Sequence, residues 1–266
     1  MDSLTKLKIL LTVLIAMTCA GSVLAQERLP GRKNNLTLRY GMIHGVVKDQ
    51  MYSPLNYSST GGTLGLNYTR STNRNNLLSI ILGLKTNEVE TNVSDAFLAD
   101  QIQWNAEISF LKKLKKQSGK WNLYLGGDLH ARSSFINYDD PVTLSSSLAY
   151  VSHRGLGLQA LAIRHFEKNS ISTHFKLPIA GSVFRTPYSG YSEDLDEAGL
   201  SFMFTHGKFG SLHNYFAPTI GVSASNHTLR WLDLTAGYEI NYLRSDLRET
   251  VTEMQGHFIL TTTFKF

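Results

Sequence analysis

The stretch Gly256-His257-Phe258-Ile259-Leu260-Thr261-Thr262-Thr263-Phe264-Lys265-Phe266 decides how the rest of the chain is read. Every second side chain from Phe258 is large or suited to a strand: Phe258, Leu260, Thr262, Phe264 and Phe266. Between them stand His257, Ile259, Thr261, Thr263 and Lys265. Period two predicts a β-strand, because successive side chains point to opposite faces. In water, a terminal strand carrying Phe264 and Phe266 would be an exposed apolar edge that invites aggregation. In a bilayer the aromatic face meets lipid and a neighbouring strand completes the ladder.

The same alternation runs back through the chain. Leu36, Leu38, Tyr40 and Met42 oppose Thr37, Arg39 and Gly41; Leu64, Leu66 and Tyr68 oppose Gly65, Asn67 and Thr69. Leu78, Ile80, Leu82 and Leu84 follow on a third strand. The clearest pair sets Ile102, Trp104, Ala106, Ile108 and Phe110 against Gln103, Asn105, Glu107 and Ser109. It then sets Trp121, Leu123, Leu125 and Leu129 against Asn122, Tyr124, Asp128 and His130. Apolar groups on lipid with polar groups in a lumen is the pattern of a membrane barrel, and tryptophan is enriched at bilayer interfaces.

The closing Phe264-Lys265-Phe266 resembles the terminal strand of bacterial outer-membrane β-barrel proteins, which characteristically ends in Phe. The resemblance implies an antiparallel transmembrane barrel in the outer membrane. It also implies that Phe258, Leu260, Phe264 and Phe266 form a signal for the barrel-assembly machinery, with outer-membrane lipids as the other partner.

The amino terminus fits such an address. Lys6 and Lys8 precede an apolar run from residue 9 to 17, and Val23-Leu24-Ala25 offers a signal-peptidase site, so residues 1–25 read as a cleaved signal peptide. The run falls short of the roughly 20 residues of a spanning helix. Ala16-Met17-Thr18 before Cys19 is a poor lipoprotein site. Cys19 is the one cysteine and leaves with the signal, which excludes disulfides, thiolate metal sites and cysteine nucleophiles from the mature chain. Loss of Asp2, Lys6 and Lys8 takes the formal charge from +5 to +4, a mild excess without the aromatic-interleaved basic cluster of a nucleic-acid binder. A hydrophobic share of 42% with mean hydropathy −0.14 is too polar for helical spans but suits strands that hide apolar content by alternation.

Connections are expected at residues 48–60, 70–76, 86–100, 112–120, 136–144, 186–197 and 245–252. The lysine run at 112–120 reads as a solvated turn rather than a phosphate or lipopolysaccharide patch. Residues 156–163 are apolar on both faces, so their outward face is undetermined. Further strands are expected around Ile171–Ile179, Leu200–Phe204, Pro218–Val222 and Leu232–Tyr242. About twelve strands result, with ten or fourteen as the neighbouring even numbers, in one domain spanning residues 26–266.

Parity places Arg39, Lys85, Glu107, Asp128, His130, His174, Lys176, Asp233 and Glu239 inside. Charges in a narrow lumen must pair, because an isolated buried charge is very costly. Such pairs either fill the barrel or line a wet pore, and small barrels fill easily with side chains. Hydrolysis or acyl transfer would need a serine beside an imidazole with a third group orienting the ring. The nearest set is Asp128 and His130 with Ser133 or Ser134. Polar pairing is the simpler account of it. His44, His153, His165, His206 and His213 show no metal-site spacing, and no cofactor is implied. The expectation is a non-enzymatic barrel that passes or binds a small solute or works structurally, with a lipid-modifying enzyme as the alternative.

Overall fold

The computed structural model describes residues 33–50, 55–91, 98–114, 121–140, 145–185, 207–247 and 249–266. The expected signal peptide, the strand at 200–204 and most of the lysine run lie outside the described residues.

Twelve strands run in chain order: β1 (Asn34–Asp49), β2 (Tyr57–Ser71), β3 (Leu77–Glu90), β4 (Leu98–Lys113), β5 (Trp121–Asp140), β6 (Ser145–His165), β7 (Asn169–Arg185), β8 (Lys208–Ser211), β9 (Tyr215–Phe216), β10 (Thr219–Asn226), β11 (Leu232–Ser245) and β12 (Val251–Lys265). Each long strand pairs antiparallel with its sequence neighbour. The terminal strand closes on the first, from Asn35↔Lys265 to Asp49↔Val251, and β10 closes on β7, from Thr219↔Lys176 to Asn226↔Asn169. Closure leaves no edge, which is what a sheet in lipid requires. Among the described residues no helix is long and apolar enough to cross a membrane.

Ten strands therefore close the wall, and β8 and β9 stand apart from it. β9 continues the register of β10 on β11, since Tyr215↔Ser245 and Phe216↔Arg244 extend Thr219↔Asn241, and Tyr242 donates to the Pro218 carbonyl at 3.0 Å. β8 pairs with the upper part of β7, Ala180↔Ser211 to Val183↔Lys208. Residues 177–179 of β7 thus face residues 212–218, an excursion in one wall position. Pro178 and Pro218 both sit here, and each removes an N–H donor from the ladder.

The lipid face is as alternation requires. Met42, Leu64, Leu82, Ile108, Leu125, Ile220, Leu234 and Phe258 all stand exposed on the outside. On β6, Leu156 and Leu158 point outward and Gln159 inward, which settles the face left open by the sequence. Trp231 stacks on Phe264 at 6.3 Å and Arg164 lies 5.9 Å over the Trp121 ring, so aromatics gather at the turn end of the wall. The first turn there is tight: Asn75 donates to the Thr72 carbonyl at 2.8 Å with its φ at 58°. Asn tolerates that left-handed conformation better than most residues.

Three expected connections are shorter than the sequence reading made them, and their flanks are wall. β1 runs to Asp49 and β2 starts at Tyr57; β3 and β4 leave only residues 91–97 between them; β5 reaches Asp140. Strands of 14 to 21 residues in this part of the chain exceed the roughly 9–11 that cross a bilayer. Toward the loop end of β3 the outward residues turn polar, with Thr86, Glu88 and Glu90 exposed. The inward residues turn apolar there, and Val47, Tyr57, Val89, Ala99, Ile136 and Ala149 make one buried cluster inside the loop end.

Candidate functional site

The lumen is the site, and its polar side chains bond across it. Lys176 on β7 donates to both oxygens of Glu107 on β4, at 2.8 and 2.9 Å. Gln159 on β6 donates to Glu107 at 2.6 Å and to Asp128 at 3.0 Å. Asp128 lies 2.5 Å from His130 Nδ1, and His130 Nε2 lies 2.9 Å from His153 Nδ1. His153 stacks on Tyr215, ring centres 4.0 Å apart. The bonds fix the tautomers when both rings are neutral. His130 holds its proton on Nδ1 for the carboxylate, and its bare Nε2 accepts from His153 Nδ1–H. Small residues make the room: a Cβ on Gly157 would meet the Asp128 carboxylate at 2.5 Å, and one on Gly181 would meet His153 at 2.8 Å.

A second network crosses the other side. Glu239 on β11 takes Arg39 at 3.0 Å and His174 at 3.2 Å. Glu253 on β12 accepts from Gln103 at 2.7 Å and Gln101 at 3.3 Å, both on β4, and also from Gln255. Asn87 donates to Gln101 at 2.8 Å. Since β4 and β12 are separated in the wall by β1, β2 and β3, these amide bonds span the barrel. Lys85 on β3 reaches Gln255 at 3.3 Å and His257 at 3.5 Å. Toward the turn end, Asp233 pairs with Lys265 at 2.5 Å and His227 at 2.8 Å. Toward the loop end, Arg185 and Asp49 form an ion pair across the lumen, and Arg185 also donates to the Glu249 carbonyl.

Of the residues singled out from sequence, Glu107 joins Asp128, His130 and Lys176 in one network, while Arg39, His174 and Glu239 make another. Asp233 sits apart with Lys265 and His227. Lys85 has no carboxylate within ion-pair distance among the described residues. Sequence reasoning placed Gln103 on the lumen face but passed over Gln101, Gln159, Glu253, Gln255, His257, Arg132 and Tyr215. The parity that found Lys265 also points Glu253, Gln255 and His257 inward, so for β12 the signal was present. Tyr215 comes from the two-residue β9, which has no alternation to read.

The structure does not assemble the serine-based set. Both ring nitrogens of His130 are engaged, by Asp128 and His153. Ser134 instead accepts from Gln101 at 3.1 Å, and Ser133 bonds the Tyr150 hydroxyl at 3.0 Å. At the turn end Ser170 lies 2.8 Å from His227 Nε2, and His227 Nδ1 lies 2.8 Å from Asp233, a serine–imidazole–carboxylate order that the sequence reading did not name. A further serine–imidazole contact, Ser211 to His213 Nδ1 at 2.5 Å, lies on the exposed excursion between β8 and β9. No carboxylate orients that ring among the described residues, and the pair reads as a local turn bond. No group of His, Cys, Asp or Glu among the described residues is arranged to hold a metal ion.

Between the two networks lies a cavity of about 150 Å³. Its charged lining is Arg39, Lys85, Arg132 and Lys176 against Glu107, Glu239 and Glu253.

No protein-family model and no curated protein matches the chain. Among solved structures it is similar to the outer membrane protease OmpT from Escherichia coli, at 6% identity and TM-score 0.55, over 91% of this chain and 99% of that one. It also resembles the translocator domain of the autotransporter NalP from Neisseria meningitidis, at 10% identity and TM-score 0.47, over 98% of each chain. Neisserial surface protein A is a third, at 12% identity and TM-score 0.38, over 87% of this chain and 97% of that one. At these identities the likeness is one of fold, and it brings no residue role with it. The chain has the fold of the antiparallel transmembrane β-barrels of bacterial outer membranes.

Proposed function

We propose that this protein resides in the bacterial outer membrane as a non-enzymatic barrel whose lumen is closed to free diffusion and binds rather than conducts. One observation carries the reading: Glu253 on β12 is hydrogen-bonded to Gln101 and Gln103 on β4, across the bore. An open pore would leave such groups to water. Above that level the apolar cluster around Val89 fills the loop end. The exposed belt from Met42 to Phe258 gives lipid as the surrounding partner. Engagement of both His130 nitrogens speaks against a lipid-modifying site built on Asp128, His130 and Ser134.

Two experiments test this. In planar bilayers the purified barrel should be silent, and discrete conductance steps would overturn the closed lumen. In fractionated envelopes the protein should lie in the outer membrane with Gln26 as its first residue; an uncleaved chain in the inner membrane would overturn the location. The assembly role of the terminal strand is separable. Phe266→Ala removes at most roughly 1.5–3 kcal/mol of packing, which a folded barrel survives. If the barrel-assembly machinery reads Phe266 before the wall exists, the variant should fall sharply in inserted amount and keep near-normal stability. A large loss of stability with normal insertion would make it a packing residue only.

A further inference from the structure

We propose that the lumen cavity is a binding site for one small oxyanion, held by Arg132, Lys85 and the Tyr215 hydroxyl. The inference deepens the closed-lumen reading above and rests on it.

The carboxylates that line the cavity already have partners. Glu107 is held by Lys176 and Gln159, and Glu239 by Arg39 and His174. Glu253 is held by the amides of Gln101, Gln103 and Gln255. Every anion in the cavity lining is thus committed, and the positive charges outnumber the negative ones by one.

The uncommitted groups are all donors. Lys85 is hydrogen-bonded only to the neutral Gln255 and His257, with Glu253 and Glu239 attracting its charge from beyond ion-pair distance. Arg132 has no hydrogen bond or ion pair among the described residues, although it lines the cavity and is near enough to repel the charge of Lys85. The Tyr215 hydroxyl likewise has no partner among the described residues, lines the same space, and belongs to a side chain that is 5% exposed. A guanidinium and a phenol that line one cavity without an acceptor, beside an ammonium held only by neutral groups, leave donors for a ligand to fill. An oxyanion supplies what they lack: negative charge for two cations and several lone pairs for their N–H and O–H groups. Arginine's fork suits two oxygens of such an ion at once.

Volume sets the size class. A cavity of about 150 Å³ is of the order that holds a six-carbon ring, so an ion of phosphate, sulfate or small-carboxylate size fits and a nucleotide does not. Tyr215 adds a link to the rest of the lumen. Its ring stacks on His153, which is bonded to His130 and so to Asp128. The neighbouring network thereby holds in place the wall of the pocket that carries the phenol.

The test uses the full chain refolded into detergent in chloride-free buffer, with radiolabelled inorganic phosphate present during folding so that the cavity is loaded as the wall closes. Equilibrium dialysis should then show saturable retention of about one phosphate per folded chain. Tyr215→Phe, which removes one donor and no bulk, should weaken binding about tenfold. Arg132→Gln should weaken it at least that much again, while Arg132→Lys, which keeps the charge, should retain part of it. Heat-modifiability on gels counts the folded fraction of each variant, so a folding defect is not read as lost binding. Absence of saturable phosphate, or equal binding by wild type, Tyr215→Phe and Arg132→Gln, overturns the site. A conducting barrel that binds no phosphate fails both readings, whereas a silent barrel that binds none fails only this one.

Discussion

The two ends of this lumen are filled by opposite means. Toward the loops, Val47, Tyr57, Val89, Ala99, Ile136 and Ala149 pack as an apolar cluster, with the Arg185–Asp49 pair as its one ion pair among the described residues. Below it, Glu107, Asp128, His130, Gln159 and Lys176 are linked by hydrogen bonds. The outer surface changes in the opposite sense, from Glu88 and Glu90 above to Leu82 and Leu84 below on the same strand. Where water lies outside, the wall behaves like a soluble barrel with an apolar core. Where lipid lies outside, apolar side chains are used on the outer face and the polar ones are turned inward, where they must satisfy one another. The solvent outside determines how the inside is held.

If that contrast is right, the two ends should break differently. The largest effect is expected from Glu107→Ala. It leaves Lys176 without a carboxylate and Gln159 short of an acceptor, and losing one partner of a buried pair costs on the order of 3–5 kcal/mol. The low end, about 3 kcal/mol, is expected because the Lys176 side chain keeps 20% exposure. Urea unfolding in micelles measures it, and replacing both partners, Glu107→Leu with Lys176→Met, should recover most of the loss. An unchanged midpoint in Glu107→Ala would mean a wet pore and would dissolve the contrast.

A smaller loss, about 2 kcal/mol, is expected from Val89→Ala at the loop end, the transfer and cavity cost of the missing methyls. No partner is orphaned there, so no second change should rescue it except a larger apolar neighbour. The smallest effect has the opposite sign. Ser59 is fully buried beside this cluster, and its hydroxyl has no hydrogen-bond partner among the described residues. Ser59→Ala should raise stability by about 1 kcal/mol. A loss of similar size would show that the loop end is wetter than its apolar lining.

The same inversion explains what the sequence disclosed. Ile80, Leu82 and Leu84 were legible as a lipid-facing strand because one face was apolar and the other was not. Thr86, Glu88 and Glu90 continue that outward face, yet they read as an acidic loop because the expected sign had reversed. Parity itself never lapsed: Val89 points inward as Lys85 does, on one unbroken strand. Asp128 and His130 were legible as neighbours because residues two apart share a face. Their partners were not, since His153 and Gln159 arrive from β6, and pairing between strands depends on register rather than local pattern. The excursion at residues 212–218 was hidden for another reason. Its two prolines mark a break, but nothing local says that β9 and β10 share one register on β11.

The point on β3 where outward leucine gives way to outward glutamate acts as a waterline. From Leu84 to Glu90 the strand rises six residues, about 20 Å at ~3.3 Å each, or about 15 Å of height at a tilt near 40°. The headgroup zone on one side of a bilayer is only about 5–8 Å deep. The rim therefore stands clear of the lipid, and a macromolecule arriving from the loop side meets a polar parapet before it meets the membrane. How deep the barrel floats is set by the wall strands, so the connections above the rim are free to change length without altering its draught.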